Sequence, residues 1–414
     1  MNNTIKIVGG KTLTGEITIS SSKNATVAIL PAVVLASEIV KLYDVPSIED
    51  INALNKILNK LNIKVDKVGD AYIIDPTDIK NATLDGQEVR SLRASYYFMG
   101  ALLGRYKYVK MLYPGGCNLG PRPIDLHLKG FEQLGATIKT DGDMIEISAN
   151  ELVGDEIYLD VASVGATINI MLAAVFAKGR TIIRNAAKEP EIIDLSSMLN
   201  KMGANIKGAG TSDITITGVS RLKGCIHDVI PDRIEAGTYI CLAAAIGKEI
   251  TVKNVIPQHI EALLSKLEEM GVEMEVGVDY VKVLDANNLK AIDIQTQTFP
   301  GFATDLQQPI TPLLCKASGT SKITETIYPE RFKHCEQISK MGGHIEVLKA
   351  KSEITGPVEL KGAAVKATDL RCGAALIIAG LMAKGETTID DAYHIYRGYD
   401  DVIGKLKSLG AQIE

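Results

Sequence analysis

The sequence predicts an α/β protein of two domains, each made of three copies of one unit with buried helices and outer sheets. The first observation behind this is an internal repeat. An amphipathic helix ends in Leu-Gly or Met-Gly and gives way to a short strand at Leu134-Gly135, Met202-Gly203, Met270-Gly271, Met341-Gly342 and Leu409-Gly410, with Leu61-Asn62 as a degenerate sixth copy. Gly and Asn share this role because both tolerate the left-handed backbone that ends helices. The separations are 73, 68, 68, 71 and 68 residues, longer than ordinary solenoid repeats. The second observation is length: 414 residues exceed what one core normally organises.

The third copy shows the content of a unit. A helix runs through Gly165–Ala177, then strand Arg180–Arg184, a second helix over Glu189–Met202, and two strands at Asn205–Lys207 and Asp213–Thr217. The first helix is apolar almost all round and should be buried, with the sheets packed outside it. The second keeps a polar face. The sixth copy stops at Glu414 without its closing strand, while spare strands stand at Ile5–Gly10 and Gly15–Ser20. The N-terminal segment is therefore expected to complete the sixth unit. That makes one domain discontinuous, 1–20 plus 231–414, and leaves 21–230 as the other. The active site is expected in the cleft between them, with the two chain crossings as a hinge.

Composition limits the function classes. The chain is 46% hydrophobic and 23% charged with a net charge of −5, which suits a globular protein and disfavours a nucleic-acid partner. Its apolar stretches, such as Ala25–Ala36, are too short to span a bilayer. The N-terminus lacks a signal-peptide pattern. The six Cys show no C-x-x-C spacing and the six His no metal-ligand pattern. A cytoplasmic monomer with reduced thiols, no metal, no cofactor and no membrane or nucleic-acid partner is expected.

Function shows where the copies differ. From the strand to the end of the second helix, Thr181–Gly203 and Thr388–Gly410 each span 22 positions, whereas Lys110–Gly135 spans 25. The extra residues fall in Gly115–Gly120, a Gly-rich turn around Cys117. Either a buried structural thiol or a reactive one fits such a position. An insertion confined to one copy has no packing reason and favours the reactive one. Cations also stand near helix starts at Lys23, Arg93, Arg122, Arg371 and Arg397, where the helix dipole opposes them. Aspartates there, including Asp305 and Asp369, can be plain caps. Cations grouped with helix N-termini suit multiply charged anions such as phosphates and carboxylates.

Several segments resemble the UDP-N-acetylglucosamine 1-carboxyvinyltransferase family, the enolpyruvyl transferases of peptidoglycan synthesis. They are Gly9 to Asn24, Leu92-Arg93, Pro114 to Cys117, Gly120 to His127, Ser163 to Thr167, Asn185 to Ile192, Pro231 to Glu235, Thr304 to Gln307, Ile323 to Thr326, Ala367 to Arg371 and Arg397 to Tyr399. The likeness covers the whole chain in register. It implies a two-domain inside-out α/β barrel of EPSP synthase-like type. It also implies transfer of the enolpyruvyl group of phosphoenolpyruvate to the 3′-hydroxyl of UDP-N-acetylglucosamine with release of phosphate. This is the first committed step of peptidoglycan precursor synthesis, in a fosfomycin target.

By the same resemblance Cys117 is the acid, Asp305 accepts or orients the sugar hydroxyl's proton, and Lys23 and Arg397 are catalytic. Lys23, Asn24, Arg122 and Arg397 match the phosphoenolpyruvate site. Asn24, Arg93, Arg122, Pro123, Ile124, Asp125, Leu126, Ser163, Val164, Asp305 and Ile327 match the UDP-N-acetylglucosamine site. Arg331, Asp369, Arg371 and His127 match secondary positions. Departures from the pattern are Ser21-Ser22 in place of Gly-Ala, Val161-Ala162 where some members carry Lys, Ala303 in place of Pro and Tyr396 in place of Asp. Two alternatives stand beside this reading. The sibling 3-phosphoshikimate 1-carboxyvinyltransferase lacks the Gly-Gly-Cys loop. A catalytically silent UDP-sugar binder would lack Cys117, Lys23 or Asp305, and all three are present.

Overall fold

The computed structural model describes residues 3–115 and 124–414. They divide into two compact bodies: a continuous one, 21–115 with 124–230, and a discontinuous one, 3–20 with 231–414. Each contains three repeats around three buried helices. In the continuous body these helices are Lys23–Ala32, Tyr97–Tyr106 and Val164–Ala174. In the discontinuous body they are Arg233–Ile246, Thr304–Leu314 and Leu370–Met382. From Gly165 to Ala174 every residue is buried, as expected for a helix with no polar face. The sheets carry the opposite pattern. Strand Asp213–Thr217 alternates buried Ile214 and Ile216 with more exposed neighbours, so one face packs inward and one meets solvent.

The six helix ends that define the repeat share one conformation. Asn62, Gly135, Gly203, Gly271, Gly342 and Gly410 all have positive φ, between 62° and 106°, the left-handed geometry that closes a helix. The second helices end there; in the first five copies the chain then enters a β-hairpin, and in the sixth the single strand Gln412–Ile413.

Among the described residues there are six sheets, five of four strands and one of three. The third repeat has the order Asn205–Lys207, Asp213–Thr217, Arg180–Arg184, Glu156–Tyr158, with the last pair parallel. The sequence reading lacked this leading parallel strand, which is only three residues long and too short to show a period. Its counterparts explain the chain ends. Strand Thr4–Val8 pairs antiparallel with Glu386–Asp390 and with Gln412–Ile413, and so closes the sixth repeat. The second N-terminal strand does not join it. Leu13–Thr18 runs parallel to Gly247–Lys253 as the leading strand of the fourth repeat, which corrects the expectation that both spare strands complete the sixth. Likewise Ile226–Asp228 runs parallel to Val40–Tyr43 and leads the first repeat. Each substitution keeps a leading strand parallel to the strand that follows the buried helix, the pairing a βαβ crossover favours.

Candidate active site

Three residues implied by the resemblance, Cys117, Arg122 and Pro123, lie outside the described residues. The approach to them is described. A Cβ on Gly115 would stand 1.8 Å from the Arg90 carbonyl oxygen, so only glycine fits where the inserted loop begins.

In the continuous body Lys23 is the first residue of its helix. Ser22 caps that helix, its side chain accepting from the Ala25 N–H at 3.2 Å. The Ser departure from the family pattern therefore supplies a cap worth about 1 kcal/mol that Ala would lack. The Lys23 ammonium pairs with the buried Asp50 carboxylate at 2.8 Å. Asn24 follows in the first turn. Arg93 opens a 3₁₀ turn, Arg93–Tyr96, rather than the α-helix itself, which begins at Tyr97. Its guanidinium lies over the Tyr96 ring at 5.7 Å.

Tyr96 in turn meets His127 edge-on at 4.9 Å. His127 is buried in the helix Asp125–Gln133, which follows Ile124. Its tautomer follows from Asn169. The Asn169 Oδ1 accepts from the Gly100 N–H at 2.9 Å, so its Nδ2 donates to His127 Nδ1 at 2.8 Å. The imidazole proton is then on Nε2. Burial, helped by the Arg93 charge, pushes this imidazole down to about 3, so it is neutral. A Cβ on Gly165 would lie 2.8 Å from His127 Cε1 and 2.9 Å from the Tyr96 hydroxyl. The structure thus gathers Arg93, Tyr96, His127 and the start of the Val164–Ala174 helix. That helix is capped by Ser163, whose Oγ accepts from the Ala166 N–H at 3.3 Å. Asp125 and Leu126 stand on the first turn of His127's own helix; Asp125 is exposed.

In the discontinuous body the site residues form one ionic network. Asp305, in the first turn of its helix, receives Arg331 Nη1 on Oδ1 at 2.6 Å and Arg371 Nη2 on Oδ2 at 3.2 Å. Both arginines are buried, while 26% of the Asp305 side chain remains open to solvent. Desolvation opposes the charge, but Arg331 and Arg371, with Arg233, hold the carboxyl well below the usual range. Arg371 also lies over the Tyr399 ring at 5.4 Å. Asp369 caps the helix Leu370–Met382, accepting from the Arg371 and Cys372 N–H groups at 3.0 and 3.1 Å, and accepts from Gln308 Nε2 at 3.3 Å. Ile327 lies in a turn whose amides are held by Glu325.

Arg397 is buried, but it does not open a helix. It follows the short helix Tyr393–Tyr396, and the next helix, Val402–Ser408, is capped by Asp401. Its place among cations at helix starts is corrected accordingly. Lys23 and Arg371 do stand in first turns, and carboxylates from outside their helices, Asp50 and Asp305, offset the dipole.

Sequence reasoning missed Asp50, Tyr96, Asn169, Thr304 and Glu325. A signal existed for Asn169, the one amide in an otherwise apolar helix. None existed for Asp50, which reads as an ordinary first-turn acid. Among the described residues no helix is long and apolar enough to cross a membrane. No group of three or more His, Cys, Asp or Glu among them could hold a metal ion.

The family model described as EPSP synthase (3-phosphoshikimate 1-carboxyvinyltransferase) matches residues 7–406. The chain is 54% identical over 409 residues to UDP-N-acetylglucosamine 1-carboxyvinyltransferase 2 of Geobacillus kaustophilus (strain HTA426), covering 99% of this chain and 96% of that one. It is 54% identical over 410 residues to the protein of the same name from Staphylococcus aureus (strain MRSA252), covering 99% and 98%. Among solved structures, the enolpyruvyl transferase NikO from Streptomyces tendae superposes with a TM-score of 0.91 at 24% identity, over 99% of this chain and 98% of that one. EPSP synthase from Acinetobacter baumannii gives 0.73 at 18% identity, over 99% of each. At those identities the two structures establish the fold, an α/β architecture of the EPSP synthase type. The chain belongs to the EPSP synthase family and, within it, to the UDP-N-acetylglucosamine 1-carboxyvinyltransferases.

Proposed function

We propose that this chain transfers the enolpyruvyl group of phosphoenolpyruvate to the 3′-hydroxyl of UDP-N-acetylglucosamine, releasing phosphate, at the entry to peptidoglycan precursor synthesis. The observation that carries this is 54% identity along almost the whole chain to relatives of that name.

The chemistry suits the residue types. Phosphoenolpyruvate carries a phosphate and a carboxylate, and Lys23, Arg122 and Arg397 supply cations for them. In the addition step the sugar hydroxyl oxygen bonds to C2 while the Cys117 thiol gives its proton to C3. The product is a tetrahedral ketal. Elimination breaks the C2–O bond to phosphate and returns a C3 proton to the thiolate. Cys117 can also attack C2 itself and hold a covalent phospholactoyl adduct. Asp305 lies beside the sugar hydroxyl in this reading. A carboxylate held this low by two guanidiniums is a weak base, so it orients the neutral hydroxyl and takes its proton only as the oxygen bonds to C2 and turns positive; the departing phosphate carries that proton away on elimination. Arg93, Ile124–Leu126, Ser163, Val164 and Ile327 would hold the nucleotide sugar, with the Val164–Ala174 helix N-terminus suited to the diphosphate.

Phosphate release from phosphoenolpyruvate is the test, measured alone, with UDP-N-acetylglucosamine and with shikimate 3-phosphate. Release only with the nucleotide sugar is expected. Release only with shikimate 3-phosphate would move the chain to the sibling reaction. No release with either would leave a UDP-sugar binder. Fosfomycin should add one adduct to the intact mass, mapped to Cys117; an adduct on another Cys would remove Cys117 from its role.

A further inference from the structure

Glu325 is only 1% exposed, and its partners are hydroxyls and backbone amides. Oε1 accepts from Thr296 Oγ1 at 2.7 Å, from the Ile327 N–H at 2.8 Å and from the Tyr328 N–H at 3.0 Å. Oε2 accepts from Thr304 Oγ1 at 2.8 Å. A buried carboxylate survives only when its oxygens are satisfied in this way. The four donors converge from three segments: Thr296 just after strand Asp293–Gln295, the turn carrying Ile327, and the first residue of the helix carrying Asp305.

The Thr304 hydroxyl has one hydrogen, and Glu325 takes it. The oxygen's lone pairs then face Arg331, whose Nη1 donates to Thr304 Oγ1 at 3.2 Å and to Asp305 Oδ1 at 2.6 Å. Glu325 therefore sets the direction of a hydrogen-bond chain that ends on Asp305.

We propose that Glu325 is a positioning residue of the enolpyruvyl transfer: through Thr304 it fixes Arg331 against Asp305, and through the Ile327 and Tyr328 amides it shapes the turn assigned to the nucleotide sugar. This rests on the reading of Asp305 and Ile327 given above.

Glu325→Gln separates the two roles. The three donors at Oε1 pin the amide oxygen there, so the loop contacts remain. The NH₂ group then faces Thr304 and reverses that one hydrogen bond. Steady-state kinetics and thermal melts would be run on the full chain for Glu325→Gln, Thr304→Val, their double variant, Glu325→Ala and Asp305→Asn. In Glu325→Gln kcat should fall by about tenfold to a hundredfold, with KM for UDP-N-acetylglucosamine within about twofold of the parent and the melting temperature close to it. Thr304→Val should behave alike, and the double variant should be no worse than the worse single, as expected for one shared hydrogen bond. Glu325→Ala should also raise that KM, by about tenfold. Parental kcat in Glu325→Gln or Thr304→Val, or losses that multiply in the double variant, would overturn the proposal while an inactive Asp305→Asn leaves the reading of Asp305 intact. A fully active Asp305→Asn would overturn both.

Discussion

In the continuous body Lys23 stands on Asp50 and His127 is a neutral ring aligned by Asn169. In the discontinuous body Asp305 collects Arg331 and Arg371, and Glu325 and Asp369 tie the surrounding backbone. The scaffold is the same: three buried helices, outer sheets and left-handed helix ends. The electrostatics differ in kind. A neutral His beside Arg93 adds no charge of its own, and the Lys23 cation is matched by one buried carboxylate. A carboxylate between two buried guanidiniums is held in place before any substrate arrives, which suits the orientation of a neutral hydroxyl. Repeats with one backbone thus carry different electrostatics.

The largest test of this contrast is Arg371→Met. It leaves Asp305 with one buried partner and should destabilise the protein by about 3 to 5 kcal/mol, the usual cost of breaking a buried ionic network. It should also move the acid limb of the kcat profile to higher pH, because the Asp305 carboxyl loses a cation that holds it down. Denaturant melts and a pH series read both, and an unchanged limb would dissolve the claimed coupling. On the other side, Gly165→Ala forces a methyl to within 2.8 Å of His127. That should cost about 1 to 3 kcal/mol as an overpacking change and raise KM for UDP-N-acetylglucosamine, whereas a silent Gly165→Ala would show the His127 contact to be slack. Asp50→Asn should cost about 3 kcal/mol, since it removes the carboxylate charge that faces the largely buried Lys23 ammonium. Its signature is a KM for phosphoenolpyruvate raised about tenfold, equal to about 1.4 kcal/mol, with KM for the sugar unchanged.

The smallest effect is on stability against pH, and its sign differs between groups. Burial holds His127 and His334 at about 3, so the native state binds fewer protons than the unfolded chain. Stability falls as pH drops below about 6.5, the unfolded value. His127 lies in the continuous body and His334 in the discontinuous one, and His127→Gln or His334→Gln should flatten the acid side. Burial pushes Glu235 up to about 7 despite Lys405. There the native state binds more protons, so the contribution is present below about 4.5 and lost as pH rises to about 7. Glu235→Gln should remove it; melting temperatures across pH 4 to 8 decide.

The repeat was legible because helix-ending glycines and apolar helices are local requirements. Gly203 and Gly410 announce a left-handed cap wherever they fall, and Val164–Ala174 announces burial by having no polar face. The short leading strands were not legible, since three residues carry no period. For the same reason the partner of Leu13–Thr18 could not be assigned: a strand's alternation shows which face is buried and says nothing of its neighbour. Arg397 was misplaced because a short helix before it and Asp401 after it changed the local register.

The sequence alone determined the α/β class, the sixfold repeat, the chain ends that had to find sheets elsewhere and, through resemblance along its whole length, the family. Those properties rest on backbone preference and on residue identity, which are written position by position. Only the tertiary structure decided that Asp50 holds Lys23, that Asn169 sets the tautomer of His127, and that Glu325 reaches both Thr304 and Thr296. Each of those is a meeting of side chains from different repeats or distant segments. Their energies depend on distance, direction and exclusion of water, and these exist only once the helices and sheets have packed.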